Sequence, residues 1–143
     1  MATIDINKEI IWDPKFETGI QRIDLEHKIF LELFNSYRIA IIQKKNQFEL
    51  NKIINVIEKY AEFHFTSEEA FMAQVNYPGI ENHQHLHFDL LEKLNIAKHK
   101  VDNSIEFLQF AYEWFAHHTT HEDRSISTFV NKNNIQTNYQ LNI

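Results

Sequence analysis

The sequence predicts an all-α protein: an up-down-up-down antiparallel four-helix bundle with an extended N-terminal arm. Three observations lead there. Apolar residues recur three and four apart through four long blocks, the period of one face of an α-helix. Only two Gly and two Pro occur in 143 residues, too few for the tight turns of many short strands. The connections between blocks are short, which makes successive helices antiparallel neighbours.

Composition narrows the remaining classes. A hydrophobic content of 43% supports a real core, and the length suits one domain over residues 1–143. A net charge of −6 and scattered Lys and Arg leave no basic surface for nucleic acid. MATIDINKEI has acidic residues where a secretory signal needs basic ones, and no apolar run approaches the roughly 20 residues that span a bilayer. A cytoplasmic protein without membrane insertion is therefore expected. The absence of Cys excludes disulfides, thiolate metal sites and thiol nucleophiles, so any metal must be held by nitrogen and oxygen.

The elements follow in order. Residues 1–16 form the arm, anchored by Trp12 and Phe16, with Pro14 arguing against helix at Asp13. The first helix, about 18–44, carries Ile20, Ile23, His27, Phe30, Leu31, Phe34 and Ile41 on one face. The second, about 48–75, does the same with Ile57, Ala61, His64, Glu68, Phe71 and Val75. Asn76-Tyr77-Pro78-Gly79 is a turn signal. It leads to a third helix, about 80–99, with His83, His87, Leu90 and Leu94 inward. Asp102, Asn103 and Ser104 are candidate caps for a fourth helix, about 104–130, whose face holds Phe107, Ala111, Trp114, His118 and Phe129. An Asn-rich tail, 131–143, is expected to fray.

At about 100° per residue, Ile20 and Phe34 lie within about 20° of His27, so this histidine sits at the centre of an apolar stripe. His64, His83 and His118 are placed likewise. His87 joins His83, and Glu68 joins His64, each one turn on. One inward histidine is usually a hydrogen-bonded core residue, and a lone HxxxH or HxxxE is a weak signal. Five imidazoles and a carboxylate on one axis are different: each buried polar group costs roughly 1–3 kcal/mol if unpaired. A metal centre removes that cost. Five histidines exceed the needs of one tetrahedral zinc, which argues for two metals. A seventh ligand is expected from HHTTHEDRS; periodicity prefers Glu122, four residues after His118, because Asp123 falls about 140° away. His85, His99, His117 and His121 point off these stripes and read as surface or boundary residues.

Four segments, IWDPKFETGIQRIDLEHKIFLELFN, HFTSEE, YPGIENHQHLH and WFAHHTTHED, resemble the hemerythrin family, in particular its single-domain bacterial members, over nearly the whole chain. The family pattern places a histidine four residues after a tryptophan and an aspartate five residues later, matching Trp114, His118 and Asp123. The resemblance thus implies Asp123 rather than Glu122, and with it a π-type bulge or bend between His118 and Asp123. It implies two iron ions with a bridging oxo or hydroxo group, held by His27, His64, Glu68, His83, His87, His118 and Asp123. His83, His87 and His118 would belong to the coordinatively full iron, His27 and His64 to the open one, with both carboxylates bridging. The implied function is reversible O2 binding, as a carrier or store and not an enzyme; a di-iron sensor of O2, NO or redox state and a di-iron oxidase are the alternatives. Phe30, Leu31, Phe71 and Trp114 are expected to line the O2 pocket. A protein partner and the oligomeric state are left open.

Overall fold

Four helices carry almost all the regular backbone in the computed structural model, which describes residues 4–100 and 104–137. They are α1 (Gln21–Ile42), α2 (Gln47–Gln74), α3 (Ile80–Lys100) and α4 (Ser104–Lys132), preceded by a one-turn 3-10 helix at Pro14–Phe16. α1 packs on α2 and α4, and α3 packs on α2 and α4, so the four close into an antiparallel bundle. The described residues contain no strand, and no described helix is long and apolar enough to cross a membrane. The candidate caps Asp102 and Asn103, and tail residues 138–143, lie outside the described residues.

Local chemistry sets the helix ends. α1 starts at Gln21, later than expected, because Asp24 draws the preceding chain into a cap: Thr18 N and Oγ1 donate to its Oδ1 at 2.8 and 2.7 Å, and Gly19 N donates to Oδ2 at 3.0 Å. Gly19 sits at φ 82°, a left-handed conformation that a side chain would strain. At the far end Lys44 adopts φ 57°, while Lys45 N donates back to Ala40 O at 3.1 Å. That closes α1 as a Schellman-type end. Asn46 caps α2 by accepting from Glu49 N at 2.9 Å. Asn76, at φ 57°, closes α2 in the same way as Lys44, with Tyr77 N donating to Met72 O at 2.9 Å.

The arm is tied down rather than loose. Ile10 and Asn35 exchange two hydrogen bonds of 2.9 and 2.7 Å, Arg38 Nη1 donates to Ile6 O at 3.0 Å, and Ile4 N donates to Gln109 Oε1. Phe16 is fully buried, edge-on to Tyr112 and Phe115 of α4.

The core is not continuous. The larger apolar cluster joins Phe30, Leu31 and Phe34 of α1 to Ile54, Ile57, Ala61 and Phe65 of α2, Leu94 of α3 and Phe107, Ala111 and Trp114 of α4. A smaller one holds Ile20, Ile23, Phe71, Met72, Val75, Ile126 and Val130. Between them, at one level of all four helices, lies a layer of buried polar residues.

Candidate metal centre

His27, His64, Glu68, His83, His87, His118 and Asp123 form that layer, each at most 5% exposed. The helices deliver them because each replaces an apolar residue on an inward stripe, at the height where the bundle's four faces meet. Their donor atoms fall into two overlapping groups. Glu68, His83, His87, His118 and Asp123 form one; His27, His64, Glu68 and Asp123 form the other, all donor atoms within a group lying within 4.8 Å of one another.

The two carboxylates belong to both groups because each divides its oxygens between them. Glu68 Oε1 faces His83 Nε2 at 2.8 Å and His87 Nε2 at 3.0 Å, while Oε2 faces His64 Nε2 at 3.3 Å. Asp123 Oδ1 stands 3.2 Å from Nε2 of both His83 and His118, and Oδ2 stands 3.1 Å from His27 Nε2. All five imidazoles therefore present Nε2 to the interior of the layer.

These distances suit hydrogen bonds, but apart from His87 Nε2 to Glu68 Oε1 the angles do not. Glu68 Oε2, His83 Nε2, His118 Nε2 and both Asp123 oxygens are buried without a hydrogen bond. Their lone pairs converge on shared space instead of on one another, the arrangement a cation completes. A nitrogen and oxygen donor set with no sulfur fits iron, among other first-row metals.

Without a cation, the layer is an ion-pair network. Burial opposes a charged His64, yet the hydrogen bond to Glu26 and the close carboxylate charges of Glu68 and Asp123 outweigh it, pushing its pKa up to about 10. His83 is likewise opposed by burial and raised to about 10 by Asp123 and Glu68. Burial and the charge of Asp123 work against an ionised Glu68, but His64, His83 and His87 hold it well below the usual carboxylate range. Asp123 is also lowered, despite burial, by His118, His27 and His83. Protons thus occupy His64 and His83, imidazoles that a metal would need deprotonated.

Outside the layer, carboxylates back three of the imidazoles. His64 Nδ1 donates to Glu26 Oε1 at 2.7 Å, His87 Nδ1 donates to Glu69 Oε2 at 2.9 Å, and His118 Nδ1 lies 3.7 Å from Glu122 Oε2. Glu26 is itself held: Ser67 Oγ donates to its Oε2 at 2.7 Å, and Arg22 Nε donates to Ser67 Oγ at 2.7 Å. Such partners fix the ring's orientation and tautomer and raise its basicity as a ligand. Sequence reasoning missed Glu26 and Glu69. The available signal was position: each adjoins a layer residue, and a buried imidazole needs an acceptor for its second nitrogen.

Asp123 enters the layer without the expected bulge. α4 runs as α-helix from Ser104 to Lys132, with no π-type turn between His118 and Asp123, yet Asp123 is fully buried. The buried face itself turns along the helix. Phe107, Ala111 and Trp114 centre near the His118 direction, whereas Thr119, Ile126 and Val130 lie about 80 to 120° further round. Asp123, at about 140°, belongs to this second sector. Glu122 stays half-buried on the outer side of His118.

Aromatic rings wall the layer. Phe30 meets His64 edge-on at 5.4 Å between centroids, Phe115 meets His27 at 5.4 Å, and Phe65 stacks on His87 at 4.0 Å. Trp114 packs on Phe30 and Phe65, and Leu31 shares their cluster. Phe71 lies instead in the smaller cluster, among Ile20, Ile23 and Ile126. A cleft of ≈ 440 Å³ between α3 and α4, lined in part by Leu90, Trp114 and Glu122, reaches His118.

Fold and layer together define a helical bundle with a dinuclear donor set, in which two carboxylates are shared by three histidines on one side and two on the other. The model of the hemerythrin HHE cation binding domain matches residues 18–130. A bacteriohemerythrin of Clostridium acetobutylicum is 32% identical over 127 residues, 80% of this chain and 95% of that protein. The myohemerythrin of Theromyzon tessulatum is 32% identical over 75% of this chain and 82% of its own length, and a hemerythrin from Sipunculus nudus is 32% identical over 76% and 82%. The chain belongs to the hemerythrin family. That family binds a di-iron centre, and the cluster of His, Glu and Asp here is suited to metal binding.

Proposed function

We propose that this chain binds O2 reversibly, as a carrier or store, at two irons held by His27, His64, Glu68, His83, His87, His118 and Asp123. The observation that supports this most directly is the division of Glu68 and Asp123, each with one oxygen toward the group of His83, His87 and His118 and the other toward the pair His27 and His64. His83, His87 and His118 would hold one iron, His27 and His64 the other. When bound, the irons supply the two electrons that O2 takes up and returns.

The side chains do the rest. The His27 and His64 side offers one protein donor fewer, so it is the side open to a small ligand. Phe30 and Phe115 stand against those two rings, and with Leu31 and Trp114 they exclude water and protons from that side. Exclusion favours release of O2 unchanged. Glu26 holds His64 in the orientation that points Nε2 inward.

The carrier reading is preferred over an oxidase because the paired Glu-x-x-His motifs of ferritin-like di-iron bundles do not occur in the sequence. A histidine-rich donor set also supplies less negative charge to stabilise highly oxidised iron. A single hemerythrin-like domain over 1–143, acting in the cytoplasm, belongs to the same proposal.

The test is an anaerobic optical titration of the iron-loaded, reduced protein with O2, with iron analysis, followed by purging with inert gas. Two irons per chain and a charge-transfer band that appears with O2 and vanishes on purging are expected. An irreversible change with release of peroxide would overturn the carrier reading in favour of an oxidase or redox sensor.

A further inference from the structure

We propose that His117 and His121 form a second metal site, on the outer surface of α4, for one borderline divalent cation such as Ni2+, Cu2+ or Zn2+. Both side chains are exposed, and they stand one turn apart with ring centroids 4.2 Å from each other. The buried pair His83 and His87, also four residues apart on one helix, has centroids at 4.5 Å. The surface pair therefore has the ring spacing found in the buried donor set, set by the same helical register.

The tautomer of His121 supports this use. Its Nδ1 lies 2.9 Å from His117 O and 3.0 Å from Thr120 Oγ1. A carbonyl oxygen only accepts, so Nδ1 carries the proton in the neutral ring, and the lone pair is left on Nε2. This is the inner hydrogen bond that commonly fixes a metal-binding imidazole, and it orients the ring before any metal arrives. The two rings are 23° from parallel. Chelation requires His117 to rotate, which its exposure permits, and among the described residues no hydrogen bond holds its ring.

The surroundings favour a cation. His117 lines the cleft between α3 and α4 with Asp89, Glu113 and Glu122, against Lys93. Ligand type then sets the metal class. Two imidazoles suit Ni2+, Cu2+ and Zn2+, whereas Mg2+ and Ca2+ require oxygen donors, and Fe2+ binds such nitrogen sites more weakly. The site is thus distinct in chemistry from the iron centre proposed above and does not depend on it.

Calorimetric titration of the iron-loaded protein with Ni2+, with metal analysis, tests the site while the buried donors are occupied. One Ni2+ per chain is expected in addition to the iron. His121→Ala and His117→Ala should each weaken it about tenfold or more, with iron content unchanged in His121→Ala. His85→Ala, which removes a lone exposed imidazole on α3, should leave it unaltered. Absence of Ni2+ uptake beyond the iron, uptake that survives His121→Ala at full affinity, or uptake matched by loss of iron would each overturn the proposal.

Discussion

Replacing Glu26 by Gln should separate the two halves of the metal centre. Glu26 is 7% exposed; it accepts from His64 Nδ1 and Ser67 Oγ at 2.7 Å each, and its Oε2 lies 3.4 Å from Arg22 Nε. Gln keeps the shape and one acceptor but removes the charge. A hydrogen bond to a charged group contributes about 1.5–3 kcal/mol and a neutral one about 0.5–1.5, so roughly 1 kcal/mol is lost at His64 alone. Loss of a ligand's outer partner typically weakens metal binding about 10–100-fold, equivalent to about 1.4–2.7 kcal/mol. The effect should be confined to one half. On the other side His87 keeps Glu69 and His118 keeps Glu122 behind it, whereas His27 Nδ1 has no hydrogen-bond partner to compensate for a weakened His64. Titrating the metal-free protein with Co2+ and following its d–d absorption, the first equivalent should bind as in the parent and the second about 10–100-fold more weakly. Two unchanged steps, or two steps weakened alike, would refute the reasoning.

Three further outcomes follow from the same geometry. Asp123→Asn should drop iron content below two per chain, while Glu122→Gln should retain both; the reverse result would make Glu122 the ligand. In the metal-free protein, His64 and His83 have pKa values near 10, above the roughly 6.5 of the unfolded chain, so their contribution is complete below about pH 6.5 and lost as pH rises toward 10. Glu68 and Asp123 are lowered, so theirs is present above about pH 4 and lost as pH falls through their folded values; denaturant midpoints across pH should therefore peak between about 4 and 6.5, and a midpoint that kept rising to pH 9 would contradict this. Phe30→Ala should cost about 3–5 kcal/mol in urea unfolding, since the ring is buried against Phe34, Tyr60, His64, Trp114 and Phe115, and it should speed oxidation of the O2-loaded protein; unchanged oxidation would remove the shielding role from Phe30.

Much of this was legible because helical period and chemistry agreed. His27, His64, His83 and His118 lie on apolar stripes, and a single period places each of them inward. Asp123 was legible only through the family pattern. A helix read with one fixed inward direction sends it outward, but the buried positions of α4 recur at eleven residues, as Phe107 to His118, Leu108 to Thr119 and Phe115 to Ile126 do. That interval advances the face by about 20° each time. Glu26 and Glu69 were hidden for another reason. Each flanks an inward residue by about 100°, where a carboxylate ordinarily meets water, and only the neighbouring helix turns that flank into the back of an imidazole. Phe71 shows the converse: it shares the stripe of His64 and Glu68, but the polar layer separates it from Phe30 and Trp114.

A layer that cuts the core across all four helices makes the bundle two hydrophobic bodies joined by charge. The smaller body, around Ile20, Phe71 and Ile126, is too slight to hold four helix ends together without the layer beside it. Occupancy of the layer is therefore also a mechanical variable: two cations, each held by three helices and together by all four, would rivet the small end to the large one, and proton-bearing imidazoles replace that rivet with looser pairs. Amide hydrogen exchange at Phe71–Val75 and Ile126–Val130 should accelerate when metal is removed, while exchange at Ile54–Ala61 stays slow. The far end of the bundle would then report, in backbone opening rates, whether the centre is filled.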